Sequence, residues 1–263
     1  MLPSDLSATT ISDAINTSLL GGQVIYSRSV PSTMDVAMEA AMNGASEGTL
    51  VIAEEQTLGR GRFQRTWISP HGLNLYLSLV LNPSLNEIPQ IGMMASLGIV
   101  KTISKLAPNI GNLAIKWPND VIVRGRKIAG VLIDNTLSEY DKPAISILGI
   151  GLNVNLNTRS IPDIKNSATS LLEELGHSTS RLQALITMLY EIEQLYLEIK
   201  AGKSIREKWA YSIDTIGRWI QVSWQEKRYE GVALDVDEDG SLIIEGTDGS
   251  KTILPAGEVT LRL

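Results

Sequence analysis

Residues Leu113–Val123 read LAIKWPNDVIV. Strand-forming residues sit at both ends. Pro118 excludes a continuous central strand between them, and Asn119-Asp120 favours a turn. Arg124-Gly125-Arg126-Lys127 follows as a basic turn. Two more strands are expected beyond it, at Ile128–Asp134 and Ala144–Leu152. Gly149 and Gly151 in the second imply that something approaches that backbone closely. Upstream, Gln23–Ser27, Gly48–Glu54 and Leu73–Leu81 read as strands. Between the last two lies GRGRFQRTW, Gly59–Trp67. Its glycines and its arginines Arg60, Arg62 and Arg65 suit neither a core strand nor a helix interior. They suit a loop closing on an anion, or a solvated basic turn.

Apolar spacing predicts helices at 9–19, closed by Gly21-Gly22, at Ile88–Leu106, Ser167–Leu175, Ser180–Lys200 and Ser204–Tyr211. Another runs from Ser32 to Met42, where Ser32 and Asp35 have the form of a capping box and Gly44 a C-terminal stop. From Arg218 the pattern changes to short β-rich runs: Trp219–Trp224, Tyr229–Val236, Ser241–Glu245, Lys251–Leu254 and Val259–Leu263. Asp239-Gly240 and Asp248-Gly249 supply turns. The expectation is an α+β chain with a mixed sheet over residues 1–213 and an SH3-like β-barrel over 214–263.

The formal net charge of −6 over 263 residues argues against a general nucleic-acid binder. With no cysteine, disulfides, thiolate nucleophiles and cysteine–zinc sites are excluded. His71 and His177, the only histidines, both read as surface turn residues, and two cannot form a histidine metal cluster. No apolar run of membrane-spanning length and no signal sequence is present, so a cytoplasmic protein without membrane association is expected. Neither glycine pair completes a dinucleotide fingerprint, because Gln64 and Val154 stand where the third glycine would fall.

Arg60, Arg62, Arg65, Lys116 and Lys127 are expected on turns leaving strands. Their convergence would attract a polyanionic substrate. A reaction between a carboxylate and a nucleoside triphosphate fits, because charge neutralisation and alignment drive it without a covalent nucleophile. Trp67 and Trp117 would offer flat surfaces to a ring, or be buried in the core.

GRGR at 59–62 with Trp67, Lys116-Trp117-Pro118-Asn119-Asp120, Lys127-Ile128-Ala129-Gly130 and Gly149–Asn155 resemble the biotin–protein ligases in order and spacing, over nearly the whole chain. The resemblance implies a fold akin to class II aminoacyl-tRNA synthetases. It implies a monofunctional member without the N-terminal DNA-binding domain. Biotin and ATP, with magnesium, would form biotinyl-5′-adenylate, and the adenylate would acylate a lysine of a biotin carboxyl carrier protein. By motif position, Ser32, Thr33 and Gln56 would bind the ureido ring, with Met34 where many members have Asn. Arg60, Gly61 and Arg62 would close over the ligand. Lys127 would meet the biotin carboxylate and the phosphate. Trp67, Asn119 and Asn153 would hold the adenine, and Arg62, Lys116, Asp120 and Lys127 would serve catalysis. No magnesium ligand is identified, and a homodimer is an implication of the resemblance alone. Phe63-Gln64 departs from the family loop, which often has glycine at the second position, so altered closure is expected. A lipoate–protein ligase and a non-catalytic binding module are the competing readings. Ligand calorimetry separates the first, and biotin-dependent pyrophosphate exchange the second.

Overall fold

The computed structural model describes residues 5–136 and 145–261. A seven-stranded sheet is ordered β1-β2-β3-β7-β6-β5-β4. Its strands are β1 (Val24–Val30), β2 (Leu50–Gln56), β3 (Leu75–Leu81), β4 (Leu113–Lys116), β5 (Asp120–Val123), β6 (Arg126–Thr136) and β7 (Ile145–Leu152). Only β1 and β2 run parallel; the other pairs are antiparallel. Period-two alternation sorts the side chains. Leu50, Ile52, Leu77, Leu79, Leu148 and Ile150 enter the main core, with helices α3 (Ile88–Leu106) and α5 (Arg181–Lys200). Val51, Val80 and Ile147 on the opposite face meet Met34 and Ala37 of α2 (Thr33–Met42). Gly98 lets α3 approach α5, where a Cβ would lie 2.6 Å from Ile192.

The remaining helices are α1 (Ala8–Ala14), α4 (Leu171–Leu175) and α6 (Arg206–Tyr211). The five-stranded antiparallel sheet at the C-terminus has the order β11-β10-β9-β8-β12. It comprises β8 (Trp219–Trp224), β9 (Lys227–Val236), β10 (Leu242–Glu245), β11 (Lys251–Leu254) and β12 (Glu258–Leu261). The α+β class therefore holds, with the two sheets in the expected chain order.

Several boundaries differ from the sequence reading. Helix α1 stops at Ala14, not 19, because the amides of Ser18, Leu19 and Leu20 donate to the Glu193 carboxylate at 2.7, 2.7 and 2.8 Å. Helix α4 begins at Leu171, not Ser167, because residues 167–169 lie extended along Lys127, whose N–H donates to Ser167 O at 2.8 Å. The basic turn contracts to Arg124-Gly125, at φ 49° and 77°. Val123 pairs with Arg126 across it, as in a two-residue hairpin with both central residues left-handed. Lys127 is thus a strand residue. Strand β9 begins two residues early because Gln225-Glu226 form a similar turn at φ 48° and 63° without glycine. The expected β7 start at Ala144 and the last two residues of the final strand lie outside the described residues.

Candidate active site

One cavity of about 570 Å³ opens on the α2 face of the sheet. Its floor is low because Gly130, Gly149 and Gly151 lack side chains. Gly130 pairs with Gly151, and Leu132 with Gly149. Met34 and Trp67 occupy the space so freed: a Cβ at Gly149 would lie 2.7 Å from Met34 Sδ, and one at Gly151 2.4 Å from the Trp67 ring. Met34 is accordingly buried against the floor.

The α2 N-terminus forms one end of the cavity. Ser32 caps the helix, its Oγ accepting from Met34 N at 3.3 Å. The capping box is not completed by Asp35, which instead pairs with Arg60 at 2.8 Å. Thr33 N donates to Gln56 Oε1 at 3.0 Å, and Thr33 Oγ1 bonds to Ser78 Oγ at 2.9 Å. Gln56 Nε2 donates to Ser69 Oγ at 3.0 Å.

The arginine stretch is a tight hairpin. Arg60 and Thr66 pair antiparallel, Gly61 N donates to Arg65 O, and Trp67 N donates to Gly59 O. Arg62–Gln64 form one 3₁₀ turn, with Phe63 and Gln64 at φ 54° and 58°. Arg60 also reaches Asp134 at 3.3 Å, and Arg65 reaches Glu258 of β12 at 2.7 Å. Arg62 Nη1 donates to Asn119 Oδ1 at 3.1 Å, and its guanidinium lies 4.8 Å from the Phe63 ring. Burial lowers the Arg62 pKa from its ordinary value, against Asp120 and Glu258, whose charges raise it. A guanidinium remains charged under these conditions, so the loop holds a partly desolvated cation over the cavity.

The opposite wall comes from β4–β6. Lys116 faces Asp120 across the hairpin, and Asp120 Oδ1 lies 2.7 Å from Lys127 Nζ. Lys127 Nζ also lies 5.1 Å from the Trp67 ring centroid, within cation–π range. Among the described residues no carboxylate lies within ion-pair distance of Lys116. Asn119 Nδ2 donates to Val131 O. All five expected cations line the cavity, although Lys116 and Lys127 sit at strand ends and not on turns. Asn153 lines it too. Its side chain accepts from Asn74 Nδ2 at 3.2 Å and donates to Thr169 O at 3.0 Å.

The two tryptophans divide. Trp67 stands on the glycine floor, its Nε1 buried without a partner among the described residues. Trp117, 2% exposed, is a core residue whose Nε1 donates to Gly240 O at 2.8 Å, tying the first sheet to the second. His177 is exposed, but His71 corrects the surface reading: it is half-buried, with Nε2 lacking a partner among the described residues.

Sequence reasoning missed Ser69 and Ser78, whose hydroxyls hold Gln56 and Thr33 behind the wall, and two segments of the wall itself, Ile164 with Asn166–Ala168, and Gly257–Val259. Ser78 had a signal, as the one serine within the apolar run LYLSLVL. The two segments had none, because only pairing with Lys127 and docking of the second sheet bring them here. Among the described residues no group of three or more His, Asp or Glu could hold a metal. No helix among the described residues is long and apolar enough to cross a membrane.

Residues 26–153 match the Biotin/lipoate A/B protein ligase family, and residues 215–262 match the Biotin protein ligase C terminal domain. A bifunctional ligase/repressor of Bacillus subtilis is 34% identical over 259 residues, covering 97% of this chain and 79% of that protein. A biotin–[acetyl-CoA-carboxylase] ligase of Paracoccus denitrificans is 30% identical over 226 residues, covering 82% and 91%. The solved biotin protein ligase from Aquifex aeolicus, in complex with biotin and ATP, superposes with a TM-score of 0.76 at 29% identity, covering 92% of this chain and 99% of that one. These relatives favour the biotin reading over the lipoate one. The glycine-floored cavity, the arginine hairpin and the match of both sheets together place this chain in the biotin protein ligase family.

Proposed function

We propose that the chain joins biotin to ATP, giving biotinyl-5′-adenylate and pyrophosphate, and then transfers the biotinyl group to one lysine of a biotin carboxyl carrier protein. The observation that carries this reading is the polarity of the cavity. Neutral hydrogen-bonding groups lie at the α2 end, and Arg62, Lys116 and Lys127 lie at the other. That asymmetry matches an acid with a polar ring at one end and a carboxylate at the other.

In the first step a biotin carboxylate oxygen attacks the α-phosphorus and pyrophosphate leaves. The reactants are both anionic, so fixed cations lower the barrier by neutralising charge as it develops. Lys127 is the residue for the carboxylate and α-phosphate, with Asp120 orienting its ammonium. Lys116 would take the departing phosphates. Arg60 and Gly61 shape the lid, and Arg62 caps the adenylate from it. Trp67 and Asn119 wall the adenine side, while Asn153 steadies that wall through Asn74 and Thr169. Ser32, Thr33 and Gln56 take the ureido ring above Met34. In the second step the target lysine's amine attacks the acyl carbon and AMP leaves.

Magnesium would travel on the triphosphate. The cavity carboxylates Asp120 and Glu258 are each engaged by a cation, and the described residues offer no three-membered acidic cluster. Residues 1–213 would form the catalytic unit and 214–263 its C-terminal partner. A cytoplasmic location and a homodimer belong to the same reading. Incubation with biotin, Mg-ATP and a carrier domain tests it. A carrier mass increase of one biotinyl group on lysine is expected, and an unmodified carrier with intact enzyme would refute the reading.

A further inference from the structure

Gln56 is held by a chain of hydrogen bonds whose polarity can be worked out. Trp67 O only accepts, so Ser69 Oγ, 2.9 Å away, must donate its one hydrogen there. Ser69 Oγ is thereby left to accept, and the Gln56 atom facing it at 3.0 Å must be the nitrogen. The other end agrees. Thr33 N only donates, so the Gln56 atom 3.0 Å from it must be the oxygen. Thr33 Oγ1 also donates to that oxygen at 3.2 Å, which makes Ser78 the donor to Thr33. Amide orientation is ordinarily ambiguous; here both ends fix it. Gln56 Oε1 already accepts two hydrogens. Nε2 keeps one hydrogen that no described partner takes.

The relay is buried and closely packed. Ser69 is 8% exposed, and its O accepts from Gln56 N at 3.3 Å. A Cβ at Gly59 would lie 2.4 Å from Trp67 O, 2.8 Å from Ser69 Oγ and 3.2 Å from Gln56 Nε2. The first glycine of GRGR thus leaves room for three members of the relay.

We propose that Ser69 is a positioning residue that fixes the Gln56 amide, so that this end of the cavity presents an N–H donor and selects a ring bearing a carbonyl acceptor. The assignment rests on the biotin reading above. A ligand whose ring lacks that carbonyl cannot use the donor. Ser69→Ala removes the acceptor that holds Nε2 and frees the amide to rotate. Because Ser69 ties Gln56 to the backbone of Trp67, ring selectivity and the base of the arginine hairpin share one anchor.

Calorimetry on the full chain, with biotin and with the diamine left when the ureido carbonyl is removed, tests this. Wild type should prefer biotin. Ser69→Ala should weaken biotin roughly five- to tenfold and leave diamine affinity within about twofold. On a Gln56→Ala background Ser69→Ala should cost nothing further, since coupled residues are not additive. If Ser69→Ala does not fold, Ser69→Thr and Ser69→Val, similar in bulk but differing in the hydroxyl, should show the same difference in selectivity. Equal losses for both ligands, or additive losses in the double variant, would overturn the assignment. Wild type failing to bind biotin would instead sink the reading on which it rests.

Discussion

Arg62 Nη1 donates to Asn119 Oδ1 at 3.1 Å, so the arginine hairpin touches the β4–β5 turn across the cavity mouth. The contact joins two motifs separated by more than fifty residues of sequence. Asn119 is itself anchored through Nδ2 to Val131 O. On the function proposed above, Arg62 would meet charge that is present only once both ligands are bound. Replacing Arg62 by glycine should shorten the lifetime of enzyme-bound adenylate by about tenfold or more, the scale of a lost hydrogen bond to a charged group. Biotin affinity should change by less than about threefold. Chase experiments on preformed adenylate, beside biotin calorimetry, check this; equal losses would refute it.

Phe63 and Gln64 both adopt left-handed backbone conformations, at φ 54° and 58°. For a residue with a Cβ that conformation costs about 1–2 kcal/mol. Gln64→Gly should relieve part of it, offset by the greater freedom of glycine in the unfolded chain. Gln64→Val should worsen it, because β-branched residues tolerate positive φ least. Limited proteolysis of the hairpin should therefore be fastest for the valine variant. If the valine variant were cut as slowly as wild type, left-handed strain in this loop would not be what limits closure.

Gly151 bears the Trp67 ring. An alanine Cβ there would fall 2.4 Å from Cε2 and 2.6 Å from Nε1 of Trp67, closer than atoms pack. Gly151→Ala should displace the ring, shift tryptophan emission and lower biotin-dependent pyrophosphate exchange about tenfold or more, as displaced positioning groups do. Wild-type exchange and unchanged emission together would show that the ring is not needed where it stands.

Glu193 accepts from three successive amides, Ser18, Leu19 and Leu20. Burial raises its pKa, but the bonds from Ser18, Leu20 and Leu19 outweigh this and leave it below the ordinary value. The charged form is thus favoured in the folded state. Its stabilisation is complete above the unfolded value of about 4.3 and is lost as pH falls through the lower folded value. Glu193→Gln should cost about 2 kcal/mol at pH 7, and the gap from wild type should narrow as pH falls below the unfolded value and close only below the folded one. Urea titrations at several pH values check this; a pH-independent gap would contradict it.

Periodicity alone marked the strands and the long helices: Ile88–Leu106 matched residue for residue, and α5 within one. Motif identity alone marked the thirteen residues expected at the site, from Ser32 to Asn153, and each lines the cavity. Such features are local, written in spacing or in residue types with few other uses. What the sequence could not carry was partnership. Ser18–Leu20 leave helix α1 because a carboxylate on α5 takes their amides. Residues 167–169 leave α4 because Lys127 pairs with them. Arg60 and Arg65 are spent on Asp35, Asp134 and Glu258, so the arginine hairpin is fastened at three points where its composition suggested only a basic loop. The chain determined which groups were available. The tertiary structure decided which of them face the cavity and which are bound to one another, because hydrogen-bond and charge satisfaction are settled between segments that sequence leaves far apart.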